Sequence, residues 1–140
     1  MVGIVRGTWI GIAEVEAAYT KVSIAADLAV KAALVKIAAD VVKRAMGNFE
    51  GAHKKGERHV GGDKPNIVTG NLRRSIFMTS PVRSGVDWHI TVAFGAKYGR
   101  AVELGKTPGS AKYPFFTPAV EASRPSWAGS MADTWSKFVI

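Results

Sequence analysis

Three histidines, His53, His59 and His89, and eleven carboxylates are the acid–base and metal-binding side chains of this 140-residue chain. The histidines show neither HExxH spacing nor the Cys/His pattern that gathers zinc ligands. Only His53, His59 and Asp63 share a stretch in which they can meet a metal, and in a glycine-rich basic segment they read better as solvated side chains. Cysteine is absent, so thiolate and disulfide chemistry are closed, and stability must come from packing or assembly. Ser75 and Ser80 stand outside a G-x-S-x-G elbow, and no histidine and carboxylate are placed to serve them. Gly61-Gly62 with Lys64 lacks the spacing of a phosphate-binding loop. No two carboxylates are marked by spacing as an acid and a base. The expectation is a protein with no catalytic, metal or cofactor site, and no enzymatic activity.

What the side chains do offer is charge. The formal net charge is +8. Between Lys43 and Arg83 the basic residues Lys43, Arg44, Lys54, Lys55, Arg58, Lys64, Arg73, Arg74 and Arg83 face only Glu50, Glu57 and Asp63. A segment of that kind attracts nucleic acid or an acidic protein surface. The competing reading is a solvated stretch that keeps the protein soluble.

The elements that must carry this charge fit one domain spanning 1–140, since a chain of this size buries enough surface for one core. Met1 to Ile12 lacks the pattern of a signal peptide, and no stretch approaches the ~20 apolar residues of a membrane span. From Glu14 to Met46 there is neither proline nor glycine, which predicts one long helix stopped by Gly47 and Asn48. Val15, Tyr19, Val22, Ala26, Ala29 and Ala33 form a stripe expected to face the body. Ile24, Leu28 and Val35 fall outside it and predict a second apolar surface for self-association. The pairs Asp27/Lys31, Lys36/Asp40 and Asp40/Arg44 have i to i+4 spacing.

Residues 47–69 are rich in glycine and charge and read as a basic flexible loop. Leu72 to Thr79 and Trp88 to Phe94 read as two antiparallel strands joined by a turn through Pro81, Ser84, Gly85 and Asp87. The face bearing Trp88, Ile90, Val92 and Phe94 is expected to pack on the long helix. Ala96 to Leu104 predicts a short helix with Gly105 as its left-handed stop, and Thr107 to Pro114 a turn. A last helix follows from Phe115, with Thr117 as cap, Pro118 in the first position and a break or restart at Pro125. Trp127, Met131 and Trp135 then make one aromatic stripe. The predicted class is α+β: a long N-terminal helix packed on a small antiparallel sheet, a short helix and a C-terminal helix.

Three segments carry a resemblance. Thr69-Gly70-Asn71-Leu72-Arg73-Arg74-Ser75-Ile76, Tyr98-Gly99-Arg100-Ala101-Val102-Glu103-Leu104-Gly105 and Tyr113-Pro114-Phe115-Phe116-Thr117-Pro118-Ala119 resemble, in order and spacing, the head-to-tail joining or tail-completion proteins of long-tailed double-stranded DNA bacteriophages. Ala101 stands where that family usually has an aromatic, and Lys106 where threonine is commoner. The resemblance covers roughly Ile10 to Ala122. It implies a virion subunit at the head-to-tail junction, made in the bacterial cytoplasm. The subunit would form a homo-oligomeric ring, a hexamer by the family's pattern, around the DNA channel. Its partners would be other neck, connector, tail-terminator or tail-tube proteins, with no membrane involved.

Within that reading Lys54, Lys55, Arg58 and Lys64 reach DNA in the channel or an acidic neighbouring ring. Arg73, Arg74, Arg100 and Glu103 make subunit contacts, an arginine holding a carboxylate by a two-pronged hydrogen bond. Trp127, Met131 and Trp135 form a subunit interface, tryptophan being favoured at interface centres; packing on Val15 and Tyr19 of the same subunit is the equal alternative. Gly70, Gly105, Pro114 and Pro118 read as fold-specifying, and Tyr98, Phe115 and Phe116 as core. The alternative function is a non-virion nucleic-acid-binding protein using 43–83, although no recognised nucleic-acid-binding signature is present.

Overall fold

The structure, a computed structural model, describes residues 12–62, 64–106 and 111–139, with side chains from Glu16 onward in the first helix. The expectations for Met1 to Gly11, the side chains of Glu14 and Val15, Asp63, and Thr107 to Ser110 lie outside the described residues. No helix among those described is long and apolar enough to cross a membrane.

The proline-free stretch forms helix α1, Ile12–Gly47, about 54 Å long at 1.5 Å per residue. Its buried line runs through Ala29, Ala33, Ala38, Val41 and Ala45, small side chains that let neighbours approach closely. The expected stripe holds only from Ala26 onward. Tyr19 is 75% exposed and Val22 53%, because the elements that cover α1 meet only its later turns.

Those covering elements follow in order. Helical turn α2 spans Asn71–Arg74. Strands β1 (Ile76–Met78) and β4 (Val92–Phe94) pair antiparallel, with Ile76 opposite Phe94, and β2 (Val82–Ser84) pairs antiparallel with β3 (Asp87–His89). Together they make one long hairpin interrupted at Thr79–Pro81 and Ile90–Thr91. Pro81 has no amide to donate, and the Thr79 hydroxyl accepts the Thr91 amide at 3.1 Å at the break. The predicted hairpin is present, but its arms are shorter and its tip lies further out, at Gly85 (φ +63°) and Val86. Ile90 and Val92 line an apolar groove with Leu34, Ile37 and Val41 of α1, as the alternation predicts.

Helix α3 is Gly99–Leu104, shorter than predicted, and Gly105 closes it at φ +83° with an extended ψ of 156° rather than a left-handed turn. Helix α4 (Phe116–Ser123) runs through a 3₁₀ turn at Arg124–Ser126, containing Pro125, into α5 (Trp127–Phe138). Both helices lie along α1. The core gathers Ala45, Leu72, Ile76, Phe115 and Ala119. Phe115 is fully buried, its ring 5.3 Å from Phe49 and 5.2 Å from Phe94.

Candidate functional site

Where α1 stops, the amide of Asn48 bonds the Ala45 carbonyl and its side chain donates to the carbonyl of Phe115 at 2.9 Å. The chain then leaves the core and returns by Gly70. The sequence treats this stretch as flexible, yet it closes on itself. The Glu50 amide donates to Pro65 O, the Ile67 amide to Gly51 O, and Ala52 bridges Ile67. One side chain pins the loop: Asn66 Oδ1 accepts the Val60 amide at 2.6 Å, while Nδ2 donates to Glu50 O at 2.6 Å and Val60 O at 2.8 Å.

Gly70, at φ +77°, turns the chain into α2, a conformation that costs a non-glycine residue. Leu72 is buried beneath it. Arg73 and Arg74 therefore leave a helical turn, not the start of the strand expected over Leu72 to Thr79, because the amides of Arg74 and Ser75 find carbonyls at Gly70 and Asn71 before any strand partner. Arg74 folds back, its Nη2 donating to Thr69 O and Asn71 Oδ1 at 3.1 and 3.0 Å. Arg73 stands at the surface.

Between this loop and α3 lies an apolar cleft of about 280 Å³ lined by Phe49, Pro65, Ile67, Leu72 and Val102. His59 stacks on Tyr113 with ring centroids 3.8 Å apart, and its Nε2, 3.0 Å from Gly62 O, donates there when protonated. Arg73 and Tyr98 also border the cleft. Lys54, Lys55, Arg58, Lys64, Lys97, Arg100 and Lys112 are exposed on the segments that form it. Segments 48–75 and 95–113 carry ten of the nineteen cations but only four of the eleven carboxylates.

Among the described residues none of those ten cations enters an ion pair. The pairs present lie elsewhere: Arg44–Asp40 at 2.8 Å, Arg83–Asp27 at 3.0 Å, Lys137–Asp133 at 3.1 Å, Lys36–Asp133 at 3.4 Å and Arg124–Glu121 at 3.6 Å. The loop end is a basic pole with its charges unspent. The same residues show two departures from the i to i+4 expectation: Lys36 reaches α5 instead of Asp40, and Asp27 accepts from Arg83 and from Trp88 Nε1 at 3.2 Å.

Among the described residues Glu103 is the one carboxylate drawn inside, with 8% exposure. Its Oε2 accepts the amides of Phe115 and Phe116 at 2.8 and 3.0 Å, and Oε1 accepts that of Thr117 at 2.7 Å. These are the amides a helix N-terminus leaves without partners. Burial pushes the carboxyl up, but the amides of Phe116, Thr117 and Phe115 and the Thr117 hydroxyl outweigh it and hold it below its ordinary value. Both its oxygens are thus occupied within its own chain, and the subunit contact expected of Glu103 has no observation behind it. Glu103 also replaces Thr117 as the cap of α4, and Pro118 stands in the third helical position, not the first.

The C-terminal stripe divides. Trp127 and Met131 are half-buried beside the buried Thr134. Trp127 borders the apolar groove on α1 and donates from Nε1 to Ser123 Oγ at 2.9 Å. Trp135 remains 42% exposed. Arg100 is exposed on α3. His53 and His59 share the cleft, while His89 lies apart on β3.

Sequence reasoning missed Asn66 and Asp27. Asn66 has no motif around it, since its partners come from positions six and sixteen residues away. Asp27 had a spacing signal, but one that pointed along the helix to Lys31 rather than across to the hairpin. Comparison with protein-family models, with curated proteins and with solved structures finds no match for this chain.

Proposed function

We propose that this protein is a structural ring subunit of a tailed-bacteriophage particle, acting at the head-to-tail junction through assembly and not through bond chemistry. The observation that carries this reading is the meeting of the three segments that resemble the junction family. Leu72 and Ile76 of the first pack against Phe115 of the third. Glu103 of the second holds the amides of the third. A side chain at Gly99 of the second would collide with the Phe94 ring and stand 3.0 Å from Leu72 of the first.

The basic pole supplies the contact. Lys54, Lys55, Arg58 and Lys64, with Arg73 and Arg100, enter no ion pair among the described residues and present their charge to DNA in the channel or to an acidic neighbouring ring. Closed assembly from repeated interfaces needs no cofactor or metal. Light scattering across protein concentration, with electron microscopy of large species, tests the reading. A closed ring, formed alone or with a tail-tube or connector protein, is the expected result. A monomer indifferent to those proteins sinks it.

The same pole favours a second reading, a free nucleic-acid-binding protein using 43–83. Tight duplex binding by a monomer, falling steeply with salt, would select it.

A further inference from the structure

The cleft between the 48–75 loop and α3 combines an apolar interior with a rim of one sign. Phe49, Ile67, Leu72 and Val102 line the interior. Lys54, Arg58, Lys64, Lys97 and Lys112 each stand one residue along the chain from a lining residue (His53, His59, Pro65, Tyr98 and Tyr113), and Arg73 lines the cleft itself. All six cations are exposed, and none enters an ion pair among the described residues. The acids of the same segments do not cancel them, since ten cations against four carboxylates leave a net charge of +6. Of those four, Glu103 is turned inward onto the amides of α4, and Glu57 accepts the Lys54 amide at 2.9 Å.

Size and polarity decide what the cleft accepts. Its volume of about 280 Å³ lies below the roughly 300–1,000 Å³ of small-molecule sites, room for one large side chain rather than an extended ligand. Its capacity to pair a polar guest is low. Asn66, whose amide is the kind of group that reads a nucleobase edge, has its oxygen on the Val60 amide and its nitrogen on the carbonyls of Glu50 and Val60. One ring nitrogen of His53 and one of His59 lie on the carbonyls of Lys54 and Gly62. A base inserted here would give up water for few partners, a cost that a hydrocarbon side chain does not carry. A fatty acid brings a single carboxylate, whereas the rim offers cations from both the loop and the α3 side.

We propose that the cleft is the docking site of an acidic segment of a different protein, which seats one large apolar side chain against Phe49, Ile67 and Val102 and sets carboxylates on either side of it against the cationic rim. The buried anchor supplies the affinity, and the charges set orientation and the rate of encounter. The proposal rests on the reading that the basic pole meets an acidic partner, and it states what that partner must present. A second copy has no such segment, because the carboxylates of this chain never stand two in a row.

Fluorescence anisotropy with the full chain tests it. The probes are a short labelled peptide with one phenylalanine between two runs of glutamate, the same peptide with alanine in that place, and labelled oligothymidylate. The phenylalanine peptide is expected to bind at least tenfold more tightly than the alanine peptide. That ratio is expected to hold as added salt weakens both, since salt screens the rim and not the apolar contact. Val68→Trp fills the cleft from an exposed lining position without altering charge, and is expected to abolish the ratio. Arg58→Gln with Lys64→Gln is expected to weaken both peptides severalfold and leave the ratio unchanged. Far-ultraviolet circular dichroism checks that each variant is folded, and Tyr98→Ala, at a second exposed lining position, takes the place of Val68→Trp if that variant unfolds. Equal binding of the two peptides, or a ratio that the cleft variant leaves intact, overturns the proposal and spares the acidic partner. Binding of neither peptide overturns both. Oligothymidylate held more tightly than the phenylalanine peptide, and released by the cleft variant, overturns the proposal in favour of a nucleic-acid base in the cleft.

Discussion

Glu103 and Arg73 belong to elements that border one cleft, yet their environments are opposite. The carboxylate is nearly enclosed and its two oxygens receive three amides. The guanidinium is exposed with no ion-pair partner among the described residues. The difference separates two kinds of charge in a small protein. A charge satisfied by its own backbone specifies the fold, because its removal leaves buried donors bare. A charge left open on a pole specifies nothing inside the subunit and has value only toward a partner.

Removing the inward charge should produce the largest effect. Glu103→Ala strips the cap from α4 and leaves three amides without their acceptor, which should lower stability by roughly 3 kcal/mol in urea unfolding. Glu103→Gln keeps one acceptor and should fall between. The pH dependence has a fixed sign. The folded carboxyl lies below its ordinary value of 4.5, so its contribution is complete above that value and is lost as pH falls through it toward the folded value. Alanine at 103 should remove that acid-side slope; a slope that persists unchanged would assign it to other carboxylates.

An intermediate effect is expected at Asn66, which lies at the pole but acts inwardly. Asn66→Ala should cost about 1–2 kcal/mol, since it releases three hydrogen bonds that hold the loop, and it should raise proteolysis within 49–66 first. The smallest effect on stability belongs to the open charges. Arg58→Glu with Arg73→Glu should move the unfolding midpoint by no more than about 0.5 kcal/mol. The same pair should weaken binding to duplex DNA or to an acidic ring and lower the salt slope by about one for each lost phosphate contact. If it instead unfolds the chain, the division between inward and outward charge fails at Arg73.

The sequence carried the large elements and lost the local ones for identifiable reasons. Thirty-odd residues without proline or glycine leave little alternative to α1, and the alternation at Ile90 and Val92 placed the hairpin against it. Which stripe of α1 is buried depends on where α4, α5 and the hairpin end, and that is tertiary information; hence the periodicity points Tyr19 and Val22 inward while both lie outside. Leu72 to Arg74 has strand-like neighbours, but the positive φ of Gly70 starts a helical turn. Thr117 and Pro118 were sound local cap signals overridden by a carboxylate twelve to fourteen residues away. The basic pole was half legible. The loop cations stand together in sequence, whereas Lys97, Arg100 and Lys112 join them only through the return of α3 and Tyr113 to the cleft.

The break in the hairpin gives its two halves separate fates. The inner ladder is built into the core through Ile76 and Phe94. The outer ladder has Val82 and Val86 in solvent and is latched to α1 by Asp27, which receives Arg83 and Trp88, with Lys31 over the Trp88 ring. A latch of that kind defines a unit that can open without unfolding the rest. Amide hydrogens of Val82 to His89 should therefore exchange with solvent far sooner than those of Ile76 to Met78, and sooner still when Asp27, more than fifty residues earlier in the chain, is replaced by alanine.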